Sequence, residues 1–322
     1  MKFFTKHGEY MQGKSEELPG HGFRKLKKIL KKCRADFSCV LGSQTSADHC
    51  PVCEETFFPS LLKEMSSVVG YFNERVQKLR ELHLASSFLK YFLWFRLFRA
   101  NLLSDHAALI EEGQDHVTYA LINAAAIQKI LKKYDKIHCC NKGQIFKTQT
   151  KSMQIEILQN PWLYELMALC INIRESKFKS DKAAASSSEG IDLIFSDGKP
   201  SLTCGIFDFA KLDIDLTCSI CLETVFDPVS LSCGHMFCYM CGCSAASVTV
   251  VDGLKAAAPK KKCPLCRQKG VFASFVRLDE LSTLLSKRCP DYWEQRRKRE
   301  RTERIQQAKH HWENQSQAFL GI

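Results

Sequence analysis

Residues 216–266 read LTCSICLETVFDPVSLSCGHMFCYMCGCSAASVTVVDGLKAAAPKKKCPLC and hold eight of the 17 cysteines in the chain. Zinc prefers tetrahedral coordination by thiolate and imidazole, and a Cys-x2-Cys turn brings two sulfurs to one ion. The candidate ligands are Cys218, Cys221, Cys233, His235, Cys238, Cys241, Cys263 and Cys266. Eight ligands predict two zinc ions, and full protein ligation leaves no position for water, so both ions are expected to be structural.

One of the eight ligand positions has an alternative residue. Cys243 stands in Cys-x4-Cys spacing from Cys238, whereas Cys241 stands in Cys-x2-Cys spacing. The shorter spacing favours Cys241 and leaves Cys243 as the alternative.

This C3HC4 order resembles the RING finger, and the resemblance implies cross-bracing. The first ion is expected to take Cys218, Cys221, Cys238 and Cys241, and the second Cys233, His235, Cys263 and Cys266. PHD fingers place histidine fifth among their ligands and LIM units pair their ligands in sequence, so neither fits well. RING fingers occur in ubiquitin ligases, which implies a ubiquitin-charged conjugating enzyme (E2) and ubiquitin as partners.

The same resemblance assigns the E2-binding groove and no covalent catalytic residue. Ile220 and Pro264 match its apolar contacts, and Leu265 and Val229 extend it. Arg267 matches a cation that bridges ubiquitin and E2, a role that suits the donor fork of arginine. The alternatives are a solvated arginine at a domain edge and apolar side chains that only pack the zinc turns.

The N-terminal half is predicted to be all-helical. Apolar residues recur three and four positions apart, as in Leu26, Ile29 and Leu30, and proline is scarce. Two long helices are expected to form most of the core, with Ser104 as the N-cap of the second. Pro161 should kink or restart a third helix.

A row of lysines follows one face of the second long helix. Lys129, Lys132, Lys133 and Lys136 have i, i+3, i+4, i+7 spacing, and Ile127, Ile130, Leu131 and Tyr134 take the opposite face. Crowded lysines repel one another unless an anion neutralises them, although a solvated basic face is also common. Spacing alone leaves both interpretations open.

MKFF at the N-terminus, GFRKLKKILKK and LINAAAIQKILKKYDK resemble the SPX domain. This resemblance implies a long-helix bundle that binds inositol polyphosphates and pyrophosphates. The matching positions are Lys2, Phe23, Lys27, Lys129, Lys132, Lys133 and Lys136. The family usually has tyrosine where this chain has Phe23, so the hydroxyl that donates to phosphate is absent.

An SPX domain joined to a RING is similar to the plant SPX-RING ubiquitin ligases that act in nitrogen-limitation adaptation. The resemblance implies phosphate homeostasis, with membrane phosphate and nitrate transporters as substrates, at the inner face of the plasma membrane. A sensing adaptor or transcriptional co-regulator without ligase activity is the alternative.

Composition and linkers complete the predicted organisation. The net charge of +11 favours polyanionic partners, but no aromatic-interleaved basic motif points to nucleic acid. No secretory h-region or apolar span is present, so a cytosolic protein is expected, with RRKRER (296–301) as a nuclear import signal or a charged helix face.

The predicted limits are 1–175 for the SPX helical domain, 176–212 for a linker, 213–275 for an α+β RING, and 276–322 for a charged C-terminal helix.

Overall fold

The computed structural model describes residues 2–12, 18–40, 53–92, 99–153, 155–178, 190–206 and 210–320. The helices are α1 Lys2–Gln12, α2 Gly22–Val40, α3 Phe58–Phe92, α4 Arg99–His138, α5 Lys142–Ser152, α6 Pro161–Phe178, α7 Tyr239–Ala246, α8 Asp279–Arg288 and α9 Pro290–Leu320. The strands are β1 Ile191–Ser196, β2 Lys199–Ile206, β3 Ala210–Asp215, β4 Pro228–Ser230, β5 Met236–Cys238 and β6 Val276–Arg277. None of these helices is both long and apolar enough to cross a membrane.

The chain forms two compact units. The first comprises Met1–Leu97, Asp115–Leu163 and Ile206–Ala210, and the second comprises Phe98–Gln114, Tyr164–Gly205 and Lys211–Ile322. The predicted fold class is confirmed, because helices form the N-terminal region and a small α+β module with C-terminal helices carries the zinc ligands.

Aromatic packing between α3 and α4 organises the core of the first unit. Tyr134 stacks on Phe57 with ring centroids 5.0 Å apart and lies 4.8 Å from Phe58. Ile130 and Leu131 are buried beside Tyr134, as the apolar face of the lysine-bearing helix predicted.

A tight turn sets the start of α2. The Glu64 carboxylate accepts hydrogen bonds from the N–H groups of Gly20 and Gly22, at 2.6 and 3.0 Å. Gly20 has a φ of +113°, and a Cβ there would lie 2.5 Å from Oδ1 of Asn123. Glycine is therefore required here, and the turn fixes the direction in which α2 projects its lysines.

Pro161 restarts the chain as a helix, which confirms that prediction. It is the first residue of α6, and Oδ1 of Asn160 accepts a hydrogen bond from the Trp162 N–H at 3.0 Å. Proline suits this position because the first helical N–H has no partner within the helix. The N-cap prediction for Ser104 was wrong, because α4 already begins at Arg99 and the helical pattern passes through it.

A β-hairpin occupies much of the predicted linker. Strands β1 and β2 pair antiparallel from Ile191↔Cys204 to Ser196↔Lys199, and β3 adds a third strand beside β2. The turn residues Asp197 and Gly198 have φ values of 52° and 75°, the combination that two-residue hairpin turns need. Residues 191–206 therefore form strands inside the range 176–212 that was predicted as a linker.

Helix α6 packs against α8 within the second unit. The buried Glu165 carboxylate accepts hydrogen bonds from the N–H groups of Glu280 and Leu281, at 2.9 and 3.4 Å, and so caps α8. Asn172 donates to the carbonyl oxygen of Glu280 at 2.9 Å. These bonds explain why residues from Tyr164 onward belong to the second compact unit. The domain limits 1–175, 176–212, 213–275 and 276–322 remain a prediction.

The zinc-ligand module contains a second small sheet in the order β5-β4-β6. Strand β4 pairs antiparallel with β5, at Pro228↔Cys238, and with β6, at Val229↔Arg277. Val229 and Phe237 are fully buried in its core.

Candidate functional site

Two Cys-x2-Cys turns with the same hydrogen bonds frame the metal centre. In the first, the Cys218 carbonyl accepts from the Leu222 N–H at 2.8 Å, and in the second the Cys263 carbonyl accepts from the Arg267 N–H at 2.9 Å. The residue after each second cysteine, Leu222 or Arg267, has a positive φ, of 61° or 59°. The tight turn leaves both sulfurs of each pair on one side, as two-point coordination requires.

The ligand atoms gather in two clusters, each within 4.8 Å. The first holds Cys218, Cys221, Cys238 and Cys241, and the second holds Cys233, His235, Cys263 and Cys266. Both clusters combine ligands from distant parts of the sequence, so the cross-braced pairing that the resemblance implied is present.

The spacing of these atoms fits zinc. Bonds of about 2.3 Å to sulfur and 2.0–2.1 Å to nitrogen place tetrahedral S and S about 3.8 Å apart, and S and N about 3.6 Å apart. Sγ of Cys221 and Sγ of Cys238 are 3.7 Å apart. Nδ1 of His235 lies 3.4 Å from Sγ of Cys233 and 3.7 Å from Sγ of Cys263. The two clusters therefore hold two structural Zn²⁺ ions.

Helix α7 resolves the choice between Cys241 and Cys243. The Tyr239 N–H donates to the Asp227 carbonyl at 3.1 Å, which anchors the start of α7 and directs Cys241 to the first cluster. Cys243, two residues further along the helix, is buried but belongs to neither cluster. The shorter spacing gave the correct ligand.

In the metal-free protein, the thiols of each cluster share protons through hydrogen bonds. Hydrogen bonding with Cys238 lowers the pKa of the Cys218 thiol, and bonding with Cys233 lowers the pKa of Cys263 to about 3. The same bonds raise the pKa values of Cys238 and Cys233. A zinc ion must displace the remaining protons, so its binding releases protons and weakens in acid.

Exposed apolar side chains flank the zinc turns. Ile220 and Leu265 are 39% and 48% exposed, and Pro264 is also exposed. Leu222, directly after Cys221, is 74% exposed beside them and was not among the residues predicted for this surface. Val229, the other predicted extension of this surface, is fully buried in β4, so that prediction was wrong.

Basic residues of α9 pack against the first zinc turn. Arg296, whose side chain is 11% exposed, forms ion pairs with Glu223 and with the buried Glu300, and its Nη2 lies 3.9 Å from Sγ of Cys221. Arg304 pairs with Asp227 at 2.7 Å and also with Glu300 at 3.2 Å. Four thiolates around Zn²⁺ leave a net charge of −2, which the Arg296 guanidinium partly offsets.

This contact changes the interpretation of RRKRER (296–301). Arg296 points into the zinc module, whereas Arg297 and Lys298 are mostly exposed, with 66% and 76% of their side chains accessible. The sequence shows only the charge of this run, because Glu223 and Cys221, which Arg296 contacts in the zinc module, lie more than 70 residues away along the chain.

Replacing Arg296 with alanine is expected to speed zinc loss from the first cluster several-fold. The change removes a cation near the thiolates but leaves Glu300 paired with Arg304, so the cost is well below the about 3–5 kcal/mol of a buried charge left without a partner. Chelator-induced zinc release, followed with a colorimetric indicator, measures the rate. Lys298→Ala removes one exposed charge nearby and should release zinc at the wild-type rate; equal rates for all three proteins would contradict the role of Arg296.

Predicted phosphate-binding lysines meet at the start of α1. Nζ of Lys27 lies 4.1 Å from the ring centroid of Phe4, and Nζ of Lys129 lies 3.9 Å from that of Phe3. Burial and neighbouring cations lower the pKa of both lysines. Helices α2 and α4 therefore bring their cations to the same two consecutive rings.

The other predicted residues fall around this point. Lys132 and Lys136 are exposed and Lys133 is half-buried, on the face of α4 opposite its core residues. Phe23 is fully buried, with its ring 6.4 Å from that of His7, so it packs the core and does not contribute to a binding surface. Lys2 begins α1, and its side chain lies outside the described residues.

The metal centre and the comparisons with known proteins define the class. Residues 218–266 match the zinc finger, C3HC4 type (RING finger). The chain thus carries a RING finger with two structural zinc ions, and full-length relatives named as E3 ubiquitin-protein ligases make it a RING-type E3 ubiquitin transferase.

Relatives along the whole chain give the family. The chain is 57% identical to the E3 ubiquitin-protein ligase NLA of Arabidopsis thaliana, over all of both chains. It is 57% identical to the probable E3 ubiquitin-protein ligase BAH1-like 1 of Oryza sativa subsp. indica and 38% identical to the probable ligase BAH1-like of Arabidopsis thaliana, again over all of both chains. The chain belongs to this family of NLA and BAH1-like E3 ubiquitin-protein ligases. No solved structure matches it.

Proposed function

We propose that this ligase couples an inositol-phosphate signal to ubiquitin transfer in phosphate and nitrogen homeostasis. The N-terminal helical unit acts as an SPX domain that binds inositol polyphosphates or pyrophosphates and selects membrane phosphate and nitrate transporters. The RING recruits the charged E2. Convergence of Lys27 and Lys129 on the rings of Phe3 and Phe4 is the observation that carries the ligand part of the proposal.

The physical case for an anion at this face is electrostatic. Lys27 of α2 and Lys129 of α4 lie over neighbouring rings, and their lowered pKa values reflect burial first and then cations of their own helix, Lys31 and Arg24 for Lys27 and Lys132 for Lys129. A polyphosphate relieves this repulsion and accepts several charge-assisted hydrogen bonds at once. Lys132, Lys133 and Lys136 extend the surface along α4, and Lys2, the first residue of α1, is included through the SPX resemblance.

Transfer itself proceeds by positioning. The E2 docks on Ile220, Pro264 and Leu265, and Arg267 donates hydrogen bonds to ubiquitin and the E2. Holding the thioester in a reactive pose raises the rate of attack by a substrate lysine without a covalent intermediate on the ligase. The exposure of these side chains at the zinc turns supports this assignment.

Replacing Lys133 with alanine is expected to weaken inositol-pyrophosphate binding at least about tenfold. One charge-assisted hydrogen bond contributes about 1.5–3 kcal/mol, and 1.4 kcal/mol corresponds to a factor of ten. Titration calorimetry on the full chain measures the affinity, with Lys27→Ala and Lys129→Ala as companion variants.

Lys78→Ala is the matched control. Lys78 is a 57% exposed lysine of α3 paired with Glu74, and its loss should leave binding unchanged. Helix content by circular dichroism verifies that each variant is folded. Wild-type affinity in all three site variants would mean that the lysine row is only a solvated face.

A further inference from the structure

Lys262 and Lys269 face each other at the base of the second zinc turn. They form an antiparallel bridge, and two flanking hydrogen bonds, at 2.9 and 3.2 Å, join the residues before and after each lysine. This pattern is that of a non-hydrogen-bonded pair, in which the opposed side chains approach most closely and project from the same face. Both side chains are exposed. We call these two residues the lysine pair.

The lysine pair brings two positive charges together without compensation from the chain. Like charges directly opposite each other destabilise a cross-strand pair, and neither lysine has a carboxylate partner among the described residues. The segment around them adds to the repulsion, because residues 253–277 contain no Asp or Glu and seven cations: Lys255, Lys260, Lys261, Lys262, Arg267, Lys269 and Arg277. An arrangement that costs stability and finds no partner within the described residues favours a role in binding an acidic partner.

The lysine pair adjoins the surface proposed for the E2. Lys262 stands two residues before Pro264, and Lys269 stands two residues after Arg267. Consecutive Cα atoms are about 3.8 Å apart, so each lysine lies within about 8 Å of one of these contact residues. An interface of standard size covers about 20–30 residues on each side, so a protein that docks on Pro264 and Arg267 also meets the lysine pair.

We propose that the ubiquitin-charged E2 presents carboxylates to the lysine pair, and that the pair speeds its binding. This inference rests on the proposed docking of the E2 at the zinc turns. A basic surface at the same place is repelled by both lysines, and a neutral surface leaves their mutual repulsion in place. Charges at the rim of an interface act mainly on the rate of association and on its salt dependence. The lysine pair therefore selects among conjugating enzymes by the charge beside their RING-binding surface.

Discharge of ubiquitin from the E2, measured over a range of concentrations of the zinc-loaded full chain, tests the proposal. Lys262→Glu and Lys269→Glu should each raise the ligase concentration for half-maximal discharge about three- to tenfold in about 0.05 M salt, and the double variant should raise it further. The maximal rate should stay at the wild-type value, because association is affected and the reactive pose is not. In about 0.5 M salt, screening should reduce each difference to less than about twofold.

Thermal stability separates this role from a structural one. Each single substitution places opposite charges across the bridge, so the variant should melt at the wild-type temperature or above it while discharge slows. If the lysines served only the fold, stability and discharge would fall together. Zinc analysis of each variant should give two ions per chain.

Lys199→Glu is the matched control, because it makes the same change of charge at an exposed lysine of β2, in the hairpin rather than at a zinc turn. It should discharge the E2 as the wild type does. A wild-type half-maximal concentration in the double variant, a defect that salt does not reduce, or an equal defect in Lys199→Glu would each overturn the proposal. Slow discharge by Ile220→Ala beside a normal double variant rejects the lysine pair alone, whereas normal discharge by Ile220→Ala rejects E2 docking at the zinc turn itself.

Discussion

Replacing Cys241 with serine is expected to abolish ubiquitin transfer, whereas replacing Cys243 with serine should leave it intact. Both cysteines lie on α7, and only Cys241 belongs to the first zinc cluster. A structural zinc site contributes about 10–16 kcal/mol in apparent terms, as much as the whole stability of an ordinary domain, about 5–15 kcal/mol. Loss of one ligand therefore unfolds the RING.

Two measurements check this expectation on the same preparations. Metal analysis should give two zinc ions per chain for the wild type and Cys243→Ser, and one or none for Cys241→Ser. Autoubiquitination with E2, activating enzyme and ubiquitin should follow the zinc content. Cys243 is buried, so its replacement costs some packing, but full activity in Cys241→Ser and loss in Cys243→Ser would reverse the ligand assignment.

The zinc centre was the most predictable part of the molecule because zinc chemistry dictates how its ligands are spaced along the sequence. Two sulfurs can reach one ion from a Cys-x2-Cys turn, and the sequence states that spacing directly for Cys218, Cys221, Cys263 and Cys266. The lysine row of α4 was predictable for a similar reason. Because a helix fixes which residues share a face, the burial of Ile130 and Leu131 means that the Lys132 side chain points to solvent.

The features that were missed depend on partners distant in sequence or on an overlooked local signal. The role of Arg296 requires Glu223 and Cys221, which no local pattern connects to α9. The β1–β2 hairpin did have a signal, since Asp197-Gly198 stands between runs with alternating apolar residues. The preceding stretch SKFKSDKAAASSSEG (176–190) is small and polar, which is typical of a linker, and that prediction was extended over the whole 176–212 range.

Replacing Ile220 with alanine is the second change with a large expected effect on ubiquitin transfer. It tests E2 docking separately from folding of the RING. The Ile220 side chain is 39% exposed on the first zinc turn, so truncation to alanine should leave zinc content and thermal stability near wild type. If the E2 covers this side chain, truncating it removes an interface anchor and costs at least about 2 kcal/mol of binding free energy. That energy corresponds to roughly a 30-fold slower discharge of ubiquitin from the E2 at subsaturating ligase.

Ile194 offers a control of the same residue type and nearly the same exposure. It is 37% exposed on β1, in the hairpin rather than on a zinc turn. Ile194→Ala should discharge the E2 at the wild-type rate, while Ile220→Ala retains two zinc ions and fails to do so. Equal rates for the two variants would mean that Ile220 only packs its turn. A slow Ile220→Ala protein that has also released zinc would assign the residue to folding, because a defect confined to E2 docking leaves both ions in place.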